Sequence, residues 1–217
     1  MTRTAIVLAG LILAVGAMPL LADDVNIPPW RGQPRTTFQQ WEFDTPNLKP
    51  PPDLWSSNPT LTPPTLTVTP DPYHPDWIPS YPPPGELVLP RPGVWALSGS
   101  IVVDLPNYHD GEWKELWLQL VWMPMEDYPL ATPSIQVQGV PPDQVVLGGL
   151  VSSACAGTPW TYSWYKYTLI PNPDLERVTI LGNIYVDELV IDTYCPEPAT
   201  MALLGLGGLG MLFRRKR

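Results

Sequence analysis

Histidines, cysteines and grouped carboxylates are the residues that move protons, attack carbonyls or hold metals, and this chain offers few of them in useful patterns. Its two histidines are His74, within Asp71-Pro72-Tyr73-His74-Pro75-Asp76, and His109, just before Asp110-Gly111. Neither has a third histidine or a metal-spaced cysteine beside it, so both read as exposed loop residues rather than ligands. Cys155 and His109 can be drawn as a nucleophile with its base, but nothing in the local sequence couples them. A pair of carboxylates suited to glycoside hydrolysis cannot be located, and no catalytic residue is assigned. Asp187, Glu188 and Asp192, or Asp71 and Asp76, could give hard oxygen ligands to a structural calcium, but no twelve-residue calcium loop is present. The expectation is therefore no enzyme, no resident metal and no cofactor, with calcium as the single exception to test.

Binding chemistry has more material. Glu115, Trp117 and Gln119 alternate along one strand face, and Trp160, Tyr162 and Trp164 form a second row at the same spacing. Planar rings beside hydrogen-bonding groups are suited to gripping sugar rings, which makes Trp117, Gln119, Trp160 and Trp164 the candidate glycan contacts. The competing expectation is that these rings fill a second core or lie beneath the proline-rich segment, because a row of exposed indoles is costly.

The elements that must position these residues are strands. From Gly93 onward the pattern has period two. Val94 to Leu97 leads into Ser98 to Asp104, and Pro106-Asn107 and Asp110-Gly111 supply turns. Leu116, Leu118, Leu120 and Trp122 then fall on one face, with Glu115, Trp117, Gln119 and Val121 on the other. Further runs at 134–140, 145–151, 160–170, 177–181 and 183–192 are separated by Pro, Gly, Asn and Asp. Short strands at near-regular spacing, with no stretch of helical period, predict an all-β fold, an antiparallel β-sandwich. In the last run Ile184 and Val186 are even while Leu189 and Ile191 are odd, which predicts a bulge or bend at Asp187-Glu188. The ending from Asn183 to Asp192 also resembles the final strand of jelly-roll domains in the galactose-binding style, which implies a jelly-roll-like sandwich.

Residues 23–92 differ. Prolines crowd at Pro50-Pro51-Pro52, Pro63-Pro64, Pro70, Pro72 and Pro82-Pro83-Pro84. Each removes a donor and restricts its neighbour, so this stretch is expected to be an extended arm contributing at most edge strands. Trp30, Trp41, Trp55, Tyr73, Trp77 and Tyr81 make it too aromatic for a solvated linker, and the arm is expected to pack on the domain. One short strand is expected at Thr36 to Phe43.

Both termini carry targeting chemistry. Arg3, an apolar stretch from Ala5 to Leu13 continuing to Ala17, and Ala22 before Asp23-Asp24 read as a secretory signal peptide, residues 1–22. Signal peptidase is expected to cut after Ala22, with Ala17 the alternative, since Leu20 is large for the position three before the cut. At the other end Pro196-Glu197-Pro198 precedes an apolar run, Ala199 to Phe213, and Arg214-Arg215-Lys216-Arg217. Fifteen residues span roughly 22 Å as a helix, short of the roughly 30 Å hydrocarbon core, and four glycines weaken the helix further. The basic terminus resists translocation and acts as a cytoplasmic stop. Gly205-Leu206-Gly207-Gly208-Leu209-Gly210 matches a dinucleotide-binding fingerprint in spacing only, since the seven residues after Gly210, four of them basic, are not the helix and acidic residue that fingerprint needs.

Tripeptide, apolar run and basic terminus together resemble the PEP-CTERM sorting signal of Gram-negative and related bacteria. The resemblance implies export, transient retention by a short C-terminal transmembrane helix, and processing near Pro196-Glu197-Pro198 by an exosortase, a membrane-embedded cysteine transpeptidase. It also makes exopolysaccharide relevant as a partner. The resulting division is signal peptide 1–22, proline-rich arm 23–92, β-sandwich 93–195 and sorting signal 196–217, with the body at the cell surface or in the extracellular matrix.

Export bears on charge and on cysteine. Of the twelve Lys and Arg residues, Arg3 and the four terminal cations lie in the processed segments, leaving seven in a body that faces 21 Asp and Glu. So acidic a body has no basic patch, and nucleic acid is not an expected partner. Cys155 and Cys195 fall in the exported region, where an oxidising compartment permits a disulfide worth ~2–4 kcal/mol. Two buried thiols, or a modification at Cys195 directly before the motif, are the alternatives.

Overall fold

A computed structural model describes residues 26–70, 77–81, 91–109, 111–139, 141–155 and 158–197. The expected signal peptide, the apolar run, the basic terminus, Pro198, His74 and Asp71 with Asp76 lie outside the described residues. No helix among the described residues is long and apolar enough to cross a membrane.

The described residues form twelve strands and one short 3-10 turn at Pro142–Gln144. In chain order the strands are β1 (Thr36–Trp41), β2 (Leu54–Asn58), β3 (Thr65–Thr69), β4 (Trp77–Tyr81), β5 (Arg91–Leu97), β6 (Ser100–Leu105), β7 (Lys114–Pro124), β8 (Ser134–Gln138), β9 (Val145–Ala154), β10 (Thr161–Leu169), β11 (Glu176–Leu181) and β12 (Ile184–Tyr194). The larger sheet runs β2-β1-β12-β7-β10-β9, with β5 also against β12 and β4 beyond β5; the smaller runs β3-β6-β11-β8. All pairings are antiparallel.

The period-two reading of β7 holds. Leu116, Leu118 and Leu120 are fully buried and, with Trp122, join residues of both sheets in one apolar core. From the smaller sheet come Leu66, Val68, Ile101, Val103, Val178 and Ile180. Two antiparallel sheets sharing one core is the architecture the alternation predicts. The expected bulge is also present. The β12–β7 register shifts between Val186 and Glu188, which returns Leu189 and Ile191 to the core beside Ile184 and Val186. At that point β12 changes its partner on the other edge, from β5 (Ile184 to Val186) to β1 (Leu189 to Tyr194), and stays in the larger sheet.

The proline-rich segment differs from the expectation of an arm with edge strands at most. β1 sits inside the larger sheet, paired with β12 on one side and β2 on the other. Its run Thr36 to Trp41 contains no proline, so every residue can donate to a ladder, and Trp41 and Phe43 are core residues. β2, β3 and β4 lie at edges, where their neighbouring prolines are tolerated.

An ion pair bridges the two sheets at one end of the core. Lys114 of β7 and Glu176 of β11 are fully buried and in contact, and Lys114 Nζ also donates to Asn107 Oδ1 at 3.0 Å. Burial raises the Glu176 carboxyl above the usual carboxylate range, against the lowering pull of Lys114.

Candidate functional site

Two places carry the residues singled out by sequence: the outer face of the larger sheet, turned away from the smaller one, and the end of β12. The outer face is crossed by the segment before β1. Asn26 donates its backbone N–H to Gln119 Oε1 at 2.9 Å, and Gln119 Nε2 donates back to the Asn26 carbonyl at 3.1 Å. Asn26 Nδ2 and Gln119 Oε1 both bond the Tyr162 hydroxyl, at 2.9 and 2.6 Å. Further along, the Trp30 ring stacks on Tyr194 at 5.5 Å and meets Trp117 edge-on at 5.8 Å. Arg31 grips Asp192 through two bonds, Nε to Oδ1 at 2.6 Å and Nη2 to Oδ2 at 2.5 Å, with its guanidinium 4.1 Å over Phe38. Asp192 is fully buried, so this strap is part of the structure's interior bonding.

Glu115 organises the middle of that face. Its Oε1 accepts the indole N–H of Trp30 at 3.1 Å and of Trp117 at 2.6 Å, and lies 3.0 Å from Lys166 Nζ. Trp117 and Trp164 meet edge-to-face at 4.8 Å and are half-buried.

The candidate glycan contacts are therefore only partly where a sugar could reach them. Gln119 is buried at 2% exposure beneath Asn26, and Trp160 is fully buried among Val94, Val121, Met123 and Tyr162. Those two are corrected to structural residues. Alternation places a residue on a face, but the cover over that face comes from a segment some ninety residues away in sequence.

The carboxylates considered for calcium are bonded within the protein. Asp187 pairs with Arg91, Glu188 accepts from Gln40 Nε2 at 2.8 Å, and Asp192 is held by Arg31. No group of three or more potential ligands is present among the described residues. His109 is exposed, with Nδ1 3.9 Å from Asp174.

Cys155 and Cys195 are not bridged. Cys155 follows Ala154, which pairs through Thr161 to Trp122 on β7, whereas Cys195 follows Tyr194, opposite Glu115. Seven residues of strand separate those positions on β7, about 23 Å, far beyond the roughly 7 Å Cα limit of a disulfide. The expected disulfide is thus corrected, and the same separation keeps Cys155 from His109, which lies next to Tyr108 at the Cys195 end.

Cys195 ends the ordered sheet in a tight seat. Its N–H donates to the Arg35 carbonyl at 3.0 Å, and Arg35 Nε donates back to the Cys195 carbonyl at 2.8 Å. Arg35 Nη2 and Asn172 Nδ2 approach the sulfur at 3.3 and 3.4 Å, and the thiol faces the Tyr108 carbonyl at 3.4 Å. Gly111 closes the seat, since a Cβ there would stand 2.1 Å from Sγ. Beyond it Pro196 is half-buried and Glu197 exposed, so the first two residues of the motif leave directly from the end of β12.

The family model for the PEP-CTERM protein-sorting motif matches residues 195–217. The chain carries a PEP-CTERM sorting signal. No curated protein and no solved structure matches the chain. The PEP-CTERM signal implies export, C-terminal anchoring in the membrane before processing, and processing by an exosortase. Its first residue, Cys195, is the one held by Arg35 and Asn172. Sequence reading missed this seat because Arg35, Tyr108, Gly111 and Asn172 share no local pattern and meet only through the fold.

Proposed function

We propose that this is a non-enzymatic protein of the cell surface or extracellular matrix, a jelly-roll-like β-sandwich led out by its signal peptide and cut by an exosortase at Pro196-Glu197-Pro198. The observation that carries the reading is the placement of the PEP-CTERM motif. The domain is bonded up to Cys195, and the next residues leave it with Glu197 exposed. A membrane enzyme can then handle the tripeptide while β12 stays paired. The distance between Cys155 and the His109 end supports the non-enzymatic part, as does the internal bonding of Asp187, Glu188 and Asp192. Intact-mass spectrometry of the surface-released protein tests the reading. A chain starting after Ala22 and lacking the apolar run is expected in cells with an exosortase, and the uncut tail in cells without one. An uncut tail in both strains would sink it.

Glycan binding is the second reading, favoured by Trp117 and Trp164 standing half-buried and edge-to-face beside Lys166. Affinity electrophoresis in the producer's exopolysaccharide checks it: retardation that Trp117→Ala abolishes supports binding, and unretarded migration of the parent protein removes it.

A further inference from the structure

The sheet edges differ in how they are guarded. β2, β3, β4 and β8 are five residues each. Prolines bound or interrupt them, with Pro59 after β2, Pro64 and Pro70 around β3, Pro79 inside β4 and Pro133 before β8. β9 is a ten-residue edge strand with no proline and no charge, and among the described residues β10 is its only strand partner. Val146, Leu147, Leu150 and Val151 are 52%, 51%, 53% and 52% exposed. A long, uncharged, apolar edge presents unpaired backbone groups that template another strand.

We propose that β9 is a self-association edge, on which a second copy of this chain lays its own β9 antiparallel, joining two large sheets into one. The run Val146-Leu147-Gly148-Gly149-Leu150-Val151 reads the same in both directions. Pairing about a two-fold axis between Gly148 and Gly149 sets Val146 of each copy against Val151 of the other, and Leu147 against Leu150. In a regular strand this register fails, because residues 147 and 150 point to opposite faces while a two-fold perpendicular to the sheet needs opposed residues on one face.

The structure removes that obstacle. The β10–β9 register passes from Lys166 opposite Gly149 to Tyr167 opposite Leu147, leaving Gly148 as an extra residue. Leu147 and Leu150 consequently lie beside Tyr167 and Tyr165, both core-side residues, while Val146 and Val151 lie beside Thr168 and Trp164 on the other face. Palindrome and bulge satisfy the same two-fold. Charge selects the same place: the chain carries a net charge of −9, and residues 144–155 contain no charged side chain. Two acidic copies can approach there without opposing like charges.

Sedimentation equilibrium of the full-length chain in mild detergent tests this with two double variants. Val146→Lys with Val151→Lys opposes like charges in the proposed register and is expected to weaken the dimer at least about tenfold. Val146→Lys with Val151→Glu opposes unlike charges and is expected to keep it. Association through the apolar termini is common to all three proteins and does not separate them. The mutated positions are half exposed, and an unchanged far-ultraviolet strand signal verifies folding. A monomeric parent, equal dimerisation in all three, equal loss in both variants, or growth into fibres instead of dimers would each overturn the proposal.

Discussion

The two faces of the large sheet are buried by different means. On the inner face Leu116, Leu118 and Leu120 of β7 meet Leu189 and Ile191 of β12 and the aliphatic residues of the smaller sheet, and stability there follows apolar area. On the outer face the neighbouring residues of the same strands, Glu115, Gln119 and Asp192, are covered by the Asn26–Arg31 strap through matched donors and acceptors. The inner face tolerates any apolar partner of suitable volume, whereas the outer face needs particular groups at particular distances. Burial of a strand on both sides therefore does not make its two faces alike.

The sharpest way to break this contrast is to disturb the Lys114–Glu176 ion pair within the inner core. Lys114→Met leaves Glu176 in a dry site and is expected to cost about 3–5 kcal/mol in denaturant unfolding, with Lys114→Met plus Glu176→Met recovering most of it. The loss has a pH signature. A carboxyl raised on folding binds its proton in the native state before the unfolded one does, so its contribution is present at low pH and lost as pH rises through the raised value. Removing Lys114 removes the opposing pull. The deficit against the parent protein is expected to be small near pH about 4 and to widen toward about 7 in parallel thermal melts.

Leu118→Ala tests the apolar half of the inner face and is expected to cost about 2–5 kcal/mol with little dependence on salt or pH. On the outer face Trp30→Ala removes the stack on Tyr194 and the indole bond to Glu115, for about 1–3 kcal/mol. Hydrogen exchange should speed up first in the strap and not in β7. If the inner strands exchange faster as well, the two faces are one cooperative unit. Gln119→Leu removes the side chain that the Asn26 backbone and the Tyr162 hydroxyl bond, and is expected to cost about 1–3 kcal/mol with no added charge.

Much of the fold was legible because period two is a local property. The alternation of β7 and the phase change at Asp187 can be read from consecutive residues, and both appear where the pattern puts them. β1 was harder: its position between proline-rich stretches suggested an edge, yet its own six residues lack proline and it pairs on both sides. The glycan candidates failed in part for another reason. Trp117 and Gln119 share a face as the spacing requires, but Asn26 sits on Gln119, and Trp160 turns into a second apolar cluster. Whether a ring on a strand is exposed depends on what crosses over it.

The sequence alone determined the PEP-CTERM sorting signal, the strand-rich character and the sides of β7 and β12, since each is written in residues within a few positions of one another. Only the tertiary structure decided the match of Lys114 with Glu176, the separation of Cys155 from Cys195, the strap over the outer face and the seat of Cys195 beside Arg35. These depend on which distant segments become neighbours. That choice is made by packing two sheets around one core, and no local periodicity encodes it.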